Sequence, residues 1–165
     1  RDEAPDGEPE LFAQTGGRPL GMVFDPLGYL VVADATKGLL TVSPEGAIRV
    51  LATGVGTQPF GFLDDLDIGP DGSIYVAEAG VGGETCQDPA EGGICYGPTG
   101  AIARVSGDGV ERVVDGLNSS ASGPEVGGVS DLAVGDDGSS FATASTRPPA
   151  ISSGVGQRPR SFSRR

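Results

Sequence analysis

Histidine is absent from this chain, which excludes Ser-His-Asp catalysis, Cys-His catalysis and imidazole-based zinc sites. There is no run of about 18 apolar residues, so no membrane-spanning helix is expected. No amphipathic helical pattern emerges either, because apolar residues alternate or run in short stretches broken by turn residues. The Gly-rich stretch GVGGETC is not a phosphate loop, since no Lys follows it and no helical periodicity begins there. What is left is metal-assisted or carboxylate chemistry, or no chemistry. A signal-peptide pattern and an initiator Met are also missing, as expected of a fragment or a processed chain.

Glycine and proline are plentiful, 29 and 13 in 165 residues, as in a turn-dense fold or a disordered chain. Ordered strand periodicity favours the former for residues 10–145. A cycle recurs three times, as GMVFDPLGYLVVADA from Gly21, DLDIGPDGSIYVAEA from Asp65 and DLAVGDDGSSFATAS from Asp131. Each copy places a Gly (Gly28, Gly72, Gly138) in a turn, and six residues later stands Asp34, Glu78 or Ala144. Short apolar and β-branched runs on either side of a Pro/Asp/Gly turn read as hairpins. The first two copies continue into a second pair of strands, from Gly38 and from Gly100, turning at Ser43 to Gly46 and Ser106 to Gly109. Four short antiparallel strands per copy make a β-propeller blade.

The expected fold is therefore all-β, a partial β-propeller of about three four-stranded blades over residues 10–145, with repeats starting near 18, 58 and 126. The third copy supplies only two strands, and Glu10 to Gln14 reads as an outer strand of a preceding blade. Rings typically close with 4–8 blades, so a piece of a larger ring is expected. Its open blade edges offer a route to self-association. Residues 1–9 are expected to be a flexible N-terminal segment. Residues 146–165 are expected to form a disordered basic tail, with five Arg and no acid. Reading that tail as a nucleic-acid or membrane arm is the alternative. The remainder holds six basic against twenty-three acidic residues, a charge that repels nucleic acid and anionic lipid.

Cys86 and Cys95 lie nine apart inside an insertion over 80–99. A disulfide there would restrain the loop by about 2–3 kcal/mol in the chain-entropy model and indicate a secreted or periplasmic location. Two free thiols are the alternative. The insertion is expected to project as a long loop partly covering one mouth of the propeller channel.

The segments RPLGMVFDPLGYLVVADATKGLLTVSPEG and PFGFLDDLDIGPDGSIYVAEA resemble the strictosidine-synthase-like and gluconolactonase (senescence-marker-protein) group of six-bladed propellers, over about residues 10–79. From Tyr75 to Leu132, the segments AEAG, ICYGPTGAI and RVVDGL resemble secreted NHL-type propellers of the scytonemin-cluster type. The first resemblance implies a calcium or magnesium ion at the channel mouth, held by oxygen ligands from several inner strands and able to polarise a lactone carbonyl or activate water. Asp64 stands where that family often has Asn, with Asp65 beside it, so both are candidate ligands. The matching places in the other copies hold Leu20 and Ser130, and the family's first-blade Glu has no counterpart. The catalytic Glu of the strictosidine-synthase branch comes from a later blade than this chain reaches.

A structural role competes for each acid. Asp65 and Asp131 share one repeat position and Asp34 and Glu78 another, as expected of residues that hold turns or blades. Two functions stay open. One is a secreted, non-catalytic module binding a small molecule, glycan or protein at the channel mouth. The other is a metal-dependent hydrolase of lactones or small esters.

Overall fold

The structure, a computed structural model, describes residues 10–88 and 93–144, and every element among them is a strand. The first blade consists of β1 (Pro19–Phe24), β2 (Leu30–Asp34), β3 (Gly38–Val42) and β4 (Ile48–Ala52), antiparallel and side by side in chain order. A small hairpin, β5 (Gly54–Val55) and β6 (Gln58–Pro59), leads to the second blade. That blade is built from β7 (Phe62–Ile68) and β8 (Ile74–Gly80), then, after β9 (Thr85–Cys86), from β10 (Cys95–Ser106) and β11 (Gly109–Ser122). Its sheet runs β7, β8, β10, β11, with β12 (Glu125–Gly127) added outside β11 and β9 paired to the start of β10. The third blade is represented by β13 (Val129–Val134) and β14 (Ser140–Ala144).

The recurrent glycines follow from backbone geometry. Gly28, Gly72 and Gly138 have φ of 84°, 80° and 77°, in the left-handed region that a side chain disfavours. Each closes the tight turn of its hairpin, with Gly28 N donating to Asp25 O at 3.0 Å, Gly72 N to Gly69 O at 2.9 Å and Gly138 N to Gly135 O at 2.8 Å.

Strand β7 lies beside both β1 and β13, so the first strands of the three blades are neighbours, as around a propeller axis. Blades pack face to face. Val31, Ala33 and Leu39 of the first blade meet Leu63, Leu66 and Val76 of the second. Ala77 and Ile102 of the second meet Val129 and Leu132 of the third. Small and β-branched side chains on alternate strand positions let these faces interdigitate, and their burial drives the stacking.

Two sequence expectations change. Glu10 to Gln14 forms no strand, and within it Ala13 lies against Val32, Leu40 and Val42. The insertion over 80–99 is less a loop than a continued ladder. Gly97 pairs with Ser119, Tyr96 with Ser120 and Cys95 with Ala121, so the β10–β11 hairpin runs on past the blade and its backbone groups are satisfied by each other. The N-terminal segment 1–9, the insertion's residues 89–92 and the basic tail 146–165 lie outside the described residues.

Candidate functional site

The inner strands share an irregularity that places the candidate ligands. In β7 the pairing passes from Leu63↔Glu78 to Leu66↔Val76, so Asp64 and Asp65 together face one residue, Ala77. The same slip occurs in β1 between Pro19 and Met22 and in β13 between Val129 and Asp131. A bulge at one repeat position in every inner strand redirects Leu20, Asp64 and Ser130, the three positions matched in the sequence.

Asp64 is half-buried, and its carboxyl is pushed above the usual carboxylate range by burial and then by the charge of Asp65, with Arg18 pulling the other way. The Arg18 guanidinium lies over the Phe62 ring, 5.1 Å from its centroid, and its Nη1 donates to Pro124 O at 3.5 Å. Asp64, Arg18 and Phe62 thus meet at one end of the second blade. The insertion starts at that end, because Phe62 pairs with Gly80.

Asp65 has a different task. Its Oδ2 accepts the Leu132 N–H at 2.8 Å, and Asp67 Oδ2 accepts the Val134 N–H at 2.7 Å. Two acids of the second blade thereby bind the backbone of the third. Its other oxygen, Oδ1, faces β1, where Gly21 makes room: a Cβ there would sit 2.6 Å from the Asp65 Cα and 2.7 Å from Oδ1.

Asp34 and Glu78 occupy equivalent places within their blades and are both fully buried. Asp34 Oδ1 accepts N–H groups from Arg18, Thr36 and Lys37 at 2.9–3.0 Å and the Thr36 hydroxyl at 3.1 Å. Burial alone would raise its pKa, but hydrogen bonds from Thr15, Thr36, Arg18 and Lys37 outweigh it and hold the carboxyl below the ordinary value. Glu78 goes further than a cap. Its Oε2 accepts Gly61 N–H at 2.8 Å, and Arg112 clamps both oxygens, Nε to Oε1 at 2.8 Å and Nη2 to Oε2 at 2.9 Å. The same guanidinium reaches Gln58 Oε1 at 2.9 Å and Pro59 O at 3.1 Å, tying the linking hairpin to the blade. In the third copy Ala144 stands at this position and offers no carboxylate.

Cys86 and Cys95 form a disulfide between paired positions of β9 and β10. A separate groove of about 240 Å³ lies between the second-blade face (Tyr75, Ile102, Val114, Leu117) and β14. Among the described residues no acid lines it.

Toward a cation the described residues offer part of a shell. A hard cation takes six to eight oxygens. Asp64 and Asp65 supply two carboxylates, one oxygen of which is engaged by Leu132, and no cluster of three metal-ligating His, Cys, Asp or Glu occurs among the described residues.

No family model matches the chain. Among curated proteins it is similar to Strictosidine synthase-like 13 of Arabidopsis thaliana, 50% identical over 64 residues, covering 38% of this chain and 16% of that protein. Strictosidine synthase-like 4 of the same plant is 38% identical over 79 residues, covering 47% of this chain and 21% of the relative. The chain thus spans about a fifth or less of the length of these relatives. Among solved structures, one described as a gluconolactonase aligns over 76% of this chain and 57% of its own, at 16% identity and a TM-score of 0.45. The resemblance to strictosidine-synthase-like proteins read from the sequence holds in these comparisons.

Proposed function

We propose that the chain is a ligand-binding module of a secreted β-propeller and not a catalyst in its own right. The observation that carries this reading is the engagement of the inner-strand acids. Asp65 and Asp67 of β7 hold the third blade, Asp34 in β2 and Glu78 in β8 accept turn and linker amides, and Asp64 stands beside Arg18. The ligand is a small molecule, glycan or protein that approaches the blade end where Asp64, Arg18 and Phe62 lie. The hairpin stapled by Cys86 and Cys95 is rooted at that end, which supports its partial cover of the channel mouth. The disulfide supports an oxidising compartment, outside the cytosol or in the periplasm.

The second reading is a metal-dependent hydrolase of lactones or small esters. Burial and Asp65 raise the Asp64 carboxyl, and calcium or magnesium would relieve that strain while supplying Lewis acidity. The likeness to strictosidine-synthase-like proteins is the other ground for it. A panel of lactones and esters, assayed with and without a chelator on the native chain and on Asp64→Ala, separates the two. Hydrolysis that chelation and Asp64→Ala leave unchanged from background supports the binding module; hydrolysis abolished by both replaces it with the hydrolase.

A further inference from the structure

The two blade junctions obey one rule, and it exposes two unmatched halves of the same interface. In the repeat, Leu66, Ile68, Ile74 and Val76 of the second blade are equivalent to Met22, Phe24, Leu30 and Val32 of the first. Leu66 and Val76 are buried, packed with Ile68 and Ile74 against Val23, Val31, Ala33 and Leu39. The third blade repeats this, with Leu132 and Ala142 on Ala77 and Tyr75, the counterparts of Ala33 and Val31. At the first junction the second, fourth and twelfth repeat positions press onto the third, eleventh and thirteenth of the blade before, and at the second junction the second and twelfth press onto the eleventh and thirteenth.

At the ends of the described chain the rule is half fulfilled. Val32, at the twelfth position, is covered within the chain by Leu40, Val42 and Ala13, whereas Met22 and Phe24 keep 57% and 68% of their surface exposed. On the third blade, Ala133, Phe141 and Thr143, the counterparts of Val23, Val31 and Ala33, are exposed as well, Phe141 by 48%. Exposed large apolar side chains grouped on a sheet face mark an interaction surface.

We infer that a second copy of this chain is the occupant: Met22 and Phe24 of one copy pack on Ala133, Phe141 and Thr143 of the other. The contact continues the junctions already made inside the chain. One polar bond comes with it. Asp65 accepts the N–H of Leu132; Asp131 and Met22 are the repeat counterparts of those two residues, so exposed Asp131 accepts the Met22 N–H of the second copy. The contact is head-to-tail, and such contacts either close into rings or propagate. The described residues of each chain bring three inner strands, β1, β7 and β13, so those of two copies bring six, within the 4–8 of closed propellers. A net charge of −12 per chain opposes the pairing, so added salt strengthens it.

Sedimentation velocity of the full chain across micromolar concentrations is the test. A discrete species of twice the 16.5 kDa chain mass is expected, tightening with salt. Phe24→Asp and Phe141→Asp should each weaken it at least tenfold while the far-ultraviolet circular dichroism stays that of β-sheet. Mixing the two variants should restore a dimer, since each retains the half that the other has lost. A wild-type chain that is monomeric throughout, its faces covered by its own residues or reserved for another protein, overturns the inference. So does association indifferent to Phe141→Asp, which would mean like faces pairing, or mass that grows without limit, which would mean no closure.

Discussion

The Asp65 carboxylate of the second blade accepts the Leu132 amide hydrogen of the third at 2.8 Å, and two residues along Asp67 does the same for Val134 at 2.7 Å. An inner strand has one edge without a ladder partner, and buried backbone donors on such an edge need acceptors. Alternate acids on the neighbouring strand supply them at the right period, since side chains two apart share a face.

Removing these acceptors loosens the third blade before the others. Asp65→Ala with Asp67→Ala should cost about 1.5–3 kcal/mol for each charged hydrogen bond lost. Hydrogen exchange should show the loss first at Leu132 and Val134. Unchanged protection there would show that the blades are held by apolar packing alone.

Arg112 is the only cation in contact with buried Glu78 in the described structure. Arg112→Ala leaves that carboxylate uncompensated and should destabilise the chain by about 3–5 kcal/mol. Arg112→Met combined with Glu78→Leu removes both charges and should recover much of the loss. Urea unfolding of the single and double variants measures both effects.

Acid sensitivity follows from Asp34. Its folded-state pKa lies below the unfolded value, so its stabilisation is complete above the unfolded pKa and is lost as pH falls through the folded one. Asp71, held low by Ser73, and Asp137, held low by Ser139, act in the same direction. Asp34→Ala should lower stability at pH 7 by about 1–3 kcal/mol and flatten its fall as the pH drops below the ordinary carboxylate range, as read from urea midpoints across an acid titration.

The disulfide guards a weak place. β9 is two residues long and, among the described residues, pairs with Cys95 and Tyr96. Reduction should therefore raise hydrogen exchange in residues 80–88 and 93–97 while leaving β7 and β8 protected. Equal loosening throughout would contradict this.

Hairpins and blade order were legible because their cause is local. Gly28, Gly72 and Gly138 recur where the backbone must turn left-handed, and strand alternation surrounds them. Asp65 was read both as a candidate ligand and, from its repeat position, as a residue that holds blades, and its bond to Leu132 shows the second duty; the pairing of Cys86 with Cys95 was legible from their spacing. The Arg112 clamp was not, since its partners Glu78 and Gln58 lie 34 and 54 residues away and nothing local marks them. The inner-strand bulge did leave a trace, the paired Asp64 and Asp65 that break the alternation between Leu63 and Leu66. The extension of β10 into the insertion was hidden because its partners, Ser119 to Ala121, are small polar or Ala residues with no strand signal of their own.

Thermal unfolding with and without millimolar calcium, on the native chain, Asp64→Ala and Asp65→Ala/Asp67→Ala, tests most directly whether the inner-strand acids join blades. Calcium should leave the native midpoint unchanged, Asp64→Ala should lie within about 0.5 kcal/mol of native, and the double variant should melt well below both. A midpoint raised by calcium and returned to baseline by Asp64→Ala, with the double variant stable, would contradict the account and make Asp64 a cation ligand.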